Sequence, residues 1–183
     1  MDAERSTRVI TWPHQPPHVF EPNRHYIVTG ATYQKARLFR SADERNILLA
    51  TLLGEAEAHE WRLEAWAVFS NHYHFVGISP EKCDLTALIR SIHSKSAREI
   101  NRIHSEPGCQ VWWQYWDTII GSDKALYARL HYVHANPVRH GYQKHPRMYR
   151  WCSYAWMEQG YPDSYVKTVT SFKYDLIRVP DDF

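Results

Sequence analysis

Several absences bound the reading of this 183-residue chain. It has no stretch of about 18 or more apolar residues, so neither a transmembrane helix nor a membrane partner is expected. Residues 1–19 are polar and proline-rich and contain no apolar signal core, which makes the expected compartment cytoplasmic. Cysteine is scarce: Cys83, Cys109 and Cys152 are odd in number, and no two stand at C-x-x-C spacing. That pattern disfavours a disulfide framework or a four-cysteine zinc site and predicts three reduced thiols. A strong charge bias is also missing, the net value being +2. A duplex binder held by many phosphate contacts would carry more positive charge. Internal repeats and low-complexity tracts are absent.

What the chain does have is apolar and aromatic mass. Hydrophobic residues make up 44% of it, enough for a single-domain core. The 8 Trp and 12 Tyr suit either core filling or stacking on unpaired bases, and composition does not choose between these uses. Residues 25–33, 61–69, 72–78 and 110–120 are rich in β-branched and aromatic types and read as strands. Ser41 and Glu44 have capping-box spacing before an apolar stripe from Leu48 to Ala56, predicting a helix over 42–59. Asp84 caps a second helix over 85–105, and Ser122 or Asp123 caps a third that runs to about 135 and is ended by Pro137. The short Ser70-Asn71 link predicts a hairpin. The order is that of an α+β, ferredoxin-like βαββαβ antiparallel sheet, with two helices on one face and an extra C-terminal helix carrying Tyr132. The expected organisation is an irregular arm over 1–23, a folded domain over 24–156 and a tail over 157–183.

His72 and His74 stand two apart in the third strand, so they share a face while Tyr73 points into the helix-covered core. Neutral imidazole is the commonest metal-ligating side chain, and two such groups need a further ligand from elsewhere.

The segment Asn71-His72-Tyr73-His74-Phe75 resembles the NHxH strand of the HUH single-tyrosine transposases, with Tyr73 where a bulky apolar residue is usual. Leu130 to Gly141 resembles the Y-x-x-x-N-P-V-[KR]-x-G signature of the REP-associated tyrosine transposases, and Trp113-Gln114 and Trp151-Cys152-Ser153-Tyr154 are similar to that family as well. The likeness spans roughly residues 24–156. It implies that Tyr132 attacks a scissile phosphate polarised by a divalent ion, giving a 5′-phosphotyrosine and a free 3′-hydroxyl. Tyr132 and Asn136 lie one helical turn apart on one face, so Asn136 is the expected third ligand beside His72 and His74. Imidazoles with an amide oxygen suit Mg²⁺ or Mn²⁺, Mn²⁺ tolerating imidazole better, with zinc an option in vitro.

The implied partners are single-stranded DNA hairpins. Lys95 and Arg98 on the second helix, with Arg139 after the tyrosine, are the expected DNA contacts. His134, His140 and Tyr142 are expected at the surface or against DNA, without a catalytic role. A monomer is expected over a helix-swapped dimer. The alternatives are a non-catalytic single-strand binding module on the same fold, for which an RNP-like motif is missing, and a water-using hydrolase, for which carboxylates beside the histidines are missing.

Overall fold

The computed structural model describes residues 20–82, 84–174 and 177. Alternating apolar positions form four strands: β1 (His25–Thr32), β2 (Arg62–Val68), β3 (His72–Ile78) and β4 (Trp112–Ile120). They pair antiparallel in the order β2-β3-β1-β4. The helices are α1 (Ala42–Ala58), α2 (Leu85–His104), α3 (Asp123–Arg139), α4 (Tyr154–Gly160) and α5 (Asp163–Ser171). The expected ferredoxin-like sheet with its extra helix is the fold observed.

Local signals act where they stand. Ser41 Oγ accepts from Glu44 N–H at 3.1 Å while Glu44 Oε2 accepts from Ser41 N–H at 2.6 Å, a complete capping box. Asp84 caps α2 through Ala87 N–H at 2.6 Å, and Ser122 caps α3 through Ala125 N–H at 3.3 Å.

Period-two alternation sorts the strand side chains into two cores. Tyr26, Val28, Tyr73 and Phe75 pack under α1 and α2 against Leu48, Leu52, Leu88, Ile89 and Ile92. Ile27, Ala65, Ala67 and Val76 face the opposite way, against Leu130, Tyr132 and Val133 of α3 and Val166 and Val169 of α5. The sheet is thus covered on both faces, α3 lying opposite α1 and α2.

One expectation is corrected. Helix α3 does not stop at 135 but passes through Pro137 to Arg139. Proline removes one N–H bond to the carbonyl a turn back and its ring crowds that carbonyl, and here it stands in the last turn, where burial of Val133, Asn136 and Pro137 offsets the cost. The helix then ends in a Schellman motif: Tyr142 N–H bonds Pro137 O at 2.9 Å and Gly141 N–H bonds Val138 O at 3.0 Å. Gly141 has φ 72°, a left-handed conformation that glycine adopts without steric cost.

The expected boundary between 156 and 157 falls inside α4, and α5 packs directly on α3. Of the expected arm, residues 1–19 lie outside the described residues, while Phe20 packs on the core and Asn23 N–H bonds Ser79 O at 3.1 Å. Cys109 and Cys152 are free thiols, and Cys83 lies outside the described residues. No helix among the described residues is long and apolar enough to cross a membrane.

Candidate active site

The pleat of β3 turns His72 and His74 onto the face covered by α3, where they are buried with their ring centres 5.0 Å apart. Tyr73 points to the other core, and its hydroxyl meets His93 Nε2 at 2.9 Å. Burial raises the Tyr73 hydroxyl pKa and pushes the His93 imidazole down to about 3, so both stay neutral. His93 also stacks on Trp112 at 4.4 Å. Tyr73 therefore anchors the strand on one side while its neighbours present imidazoles on the other.

Each imidazole is oriented through Nδ1. Asn71 Nδ2 donates to Lys35 O at 3.2 Å, which turns Asn71 Oδ1 toward His72 Nδ1 at 2.9 Å. An amide oxygen only accepts, so His72 Nδ1 carries the proton and Nε2 holds the lone pair. His74 Nδ1 meets Thr29 Oγ1 at 2.7 Å, and Thr29 is the residue paired with His74 across β1 and β3. Hydrogen bonding at the remote nitrogen is how metal-binding histidines are commonly held. Phe69 supplies an apolar floor, stacked on His72 at 4.5 Å with its ring centre 6.3 Å from that of His74.

Helix α3 brings the other expected residues to this face. Tyr132 is 2% exposed, with its ring edge-on to His74 at 5.4 Å and the Arg139 guanidinium 5.1 Å from its ring centre. Asn136 is fully buried and its Oδ1 accepts from Arg139 at 3.2 Å. Asn136 Nδ2 has no hydrogen-bond partner among the described residues.

A third histidine joins the pair. One nitrogen each of His72, His74 and His140 lie within 4.8 Å of one another. His140 is the C-cap of α3, and its ring centre is 5.1 Å from that of His72. A cavity of about 230 Å³ adjoins the cluster, lined by Arg37, Asn71, His72, His140, Gly141 and Tyr142. His72 and His74 are buried and oriented through Nδ1, His140 is half-buried, and a set of imidazole nitrogens suits a divalent cation. Sequence reasoning missed His140 because it ended the helix before that residue; Gly141, a left-handed stop signal, was the clue to a longer helix. Asn71, Thr29 and Phe69 were likewise missed as supports, although Asn71 stood in the quoted motif.

The remaining expected residues are elsewhere. Lys95 and Arg98 ride on α2, which covers the other side of the sheet. Arg98 is exposed, whereas Lys95 Nζ bonds Glu55 on α1 at 2.5 Å. Burial alone would raise the Glu55 pKa, but hydrogen bonds from Lys95 and Ser91 hold the carboxyl below its usual range. His134, expected at the surface, is buried, with Nε2 2.9 Å from Ser153 Oγ, and burial pushes its pKa down to about 3. Its placement follows from the 3.6-residue helical period, which turns His134 inward beside Leu130 and Val133. In the aromatic strand β4, Trp112 is core while Trp113 is 43% exposed beside Tyr33 at 5.4 Å.

The fold is similar to that of a REP-associated tyrosine transposase bound to a REP hairpin, at 15% identity and TM-score 0.65 over 83% of this chain and 89% of that chain. A protein from Deinococcus radiodurans R1 assigned as a transposase aligns with TM-score 0.47 at 16% identity, over 67% of this chain and 95% of its own. No curated protein sequence matches the chain. The family model described as "Transposase IS200 like" matches residues 19–136, from before β1 to the buried asparagine of α3. That match covers more than half of the sequence, and the chain belongs to the IS200-like transposase family.

Proposed function

We propose that this transposase cuts and rejoins single-stranded DNA through a covalent bond to Tyr132. The observation that carries the reading is the buried pair His72 and His74 on β3, facing Tyr132 across the sheet–helix interface. In the reaction, Tyr132 Oη forms a bond to phosphorus and loses its proton, and the bond from phosphorus to the departing 3′ oxygen breaks, that oxygen taking up a proton. The 5′-phosphotyrosine keeps the energy of the phosphodiester, so a second 3′-hydroxyl can displace the tyrosine without ATP. His72, His74 and Asn136 would hold a divalent ion, Mg²⁺ or Mn²⁺, which when bound supplies Lewis-acid polarisation of the phosphate.

The chain's own groups do the rest. Thr29 and Asn71 hold the two imidazoles in orientation. Phe69 excludes water from beneath them. Arg139 pairs with Asn136 and overlies Tyr132, which places a cation beside the phosphate to be attacked. Arg37, on the rim of the adjoining cavity, is a second cation within the same approach. Lys95 and Arg98 would meet only DNA that wraps to the α2 side. Since Tyr132 is buried beneath Arg139 and beside Tyr174, DNA engagement has to displace part of this cover.

The proposed substrate is a DNA hairpin with a flanking single strand, an extension from the fold-related transposase that was solved with a REP hairpin. The protein would act as a monomer, and exposed Trp113 offers a face for base stacking. Labelled hairpin oligonucleotides incubated with Mn²⁺ or Mg²⁺ test the reading on denaturing gels. An SDS-resistant, metal-dependent adduct that is lost in Tyr132→Phe is expected. Cleavage that survives Tyr132→Phe would instead mean a water-using nuclease. Tight metal-independent binding with no adduct would mean a binding module.

A further inference from the structure

We propose that His140 is a nitrogen ligand of the same centre, and that the resulting three-imidazole set selects an ion of the manganese-to-zinc series over magnesium. The inference rests on reading His72 and His74 as ligands, and it adds the residue and the class of ion.

The position of His140 is set by backbone chemistry. Because α3 continues through Pro137, the helix reaches one turn beyond Asn136, and the Schellman bonds to Pro137 O and Val138 O then lock the turn at Gly141 and Tyr142. The C-cap residue is thereby held over β3. Its nitrogen and those of His72 and His74 fall within 4.8 Å of one another. An ion bonded to imidazole at about 2.0–2.1 Å holds neighbouring donors roughly 3 Å apart, so closing the three rings on one ion needs movements of about an ångström or two. Side-chain rotation supplies movements of that size. The three rings already share one apolar support, since Phe69 stacks on His72 and meets His140 edge-on at 5.3 Å and His74 at 6.3 Å.

The donor chemistry decides the ion. The cluster is made of histidines alone, with no carboxylate among the described residues. Magnesium requires near-octahedral oxygen donors and is usually held by carboxylates and water, whereas imidazole suits the later first-row ions. A site with three neutral nitrogens and one amide oxygen is therefore poorly matched to magnesium. The arrangement also takes two of its nitrogens from β3 and one from the cap of the helix that carries Tyr132, so the bound ion would tie that helix end to the sheet.

Cobalt(II) titration of the full chain, followed by visible absorption, tests this on binding alone. Wild type is expected to take up one Co²⁺, His72→Ala to lose it, and His140→Ala to bind at least about tenfold more weakly with an altered spectrum. His140→Gln keeps the cap position occupied and is expected to behave like the alanine variant. In the cobalt-loaded wild type, proton NMR should show three hyperfine-shifted imidazole N–H signals, a count that needs no variant. Magnesium in large excess should leave the cobalt in place. Two N–H signals, or wild-type affinity and spectrum in both His140 variants while His72→Ala loses the ion, would overturn the role of His140 and leave the two-histidine reading standing. Displacement of cobalt by comparable magnesium would overturn the ion preference. Failure of wild type to bind, or binding unaffected by His72→Ala, would instead bring down the metal reading itself.

Discussion

Replacing Gly30 by alanine drives a methyl group into the ring of Tyr73. A Cβ at position 30 would lie 2.5 Å from Tyr73 Cε1 and Cζ and 2.7 Å from its hydroxyl, well inside van der Waals contact. Gly30 is not among the positive-φ residues, so the conflict is steric and owes nothing to backbone strain. Tyr73 has no room to yield, being fully buried against Trp112 at 5.4 Å with its hydroxyl bonded to His93. Overpacking of this kind costs about 1–3 kcal/mol. Loss of the bond to His93 would add about 1–3 kcal/mol, because both partners are then left unsatisfied in the core. Alanine offsets about 0.4–1 kcal/mol by restricting the unfolded chain. The expected net loss is about 2–4 kcal/mol, read as a lower midpoint in urea with an unchanged slope. Pairing Gly30→Ala with Tyr73→Leu, which removes the clashing ring, should cost at least about 1 kcal/mol less than the sum of the single changes. A Gly30→Ala protein within about 0.5 kcal/mol of wild type, or strict additivity in the double variant, would refute the argument that this glycine exists to admit Tyr73.

Three other outcomes are expected. Asn71→Ala should weaken Mn²⁺ or Co²⁺ binding about ten- to hundredfold by releasing the orientation and tautomer of His72, and Asn71→Asp, which still accepts from Nδ1, should bind more tightly than Asn71→Ala; equal affinities in calorimetry would count against the lock. His93 has a folded pKa near 3, below the 6.5 of the unfolded chain, so its contribution is present above pH 6.5 and is lost as pH falls from there toward 3. His93→Gln should therefore flatten the acid side of the stability curve by up to about 1.4 kcal/mol per pH unit between pH 6 and 5, and a parallel curve would show that the imidazole is not held neutral. Lys95→Met separates two roles: the bond to Glu55 predicts a stability loss of about 1 kcal/mol with an unaltered salt slope of DNA binding, whereas a phosphate contact would reduce that slope by about one.

Much of this protein was legible along the chain because the signals are local. Strand β3 began and ended where its residue types predicted, Ser41 and Glu44 made their capping box, and the two-residue period separated Tyr73 from His72 and His74. Tyr132 and Asn136 were bound to share a helix face, since their separation is close to one turn. The tertiary structure decided what depends on distant partners. Pro137 argued locally for a helix end, but burial against the sheet carried α3 four residues beyond 135, and only that continuation sets His140 beside His72. Lys95 looks like any exposed lysine until α1 brings Glu55 against it, and His134 looks polar until Ser153 reaches its Nε2 from 19 residues away. Periodicity and capping act within a few residues and can be read from the sequence, whereas the third imidazole and the buried partners are set by packing between elements.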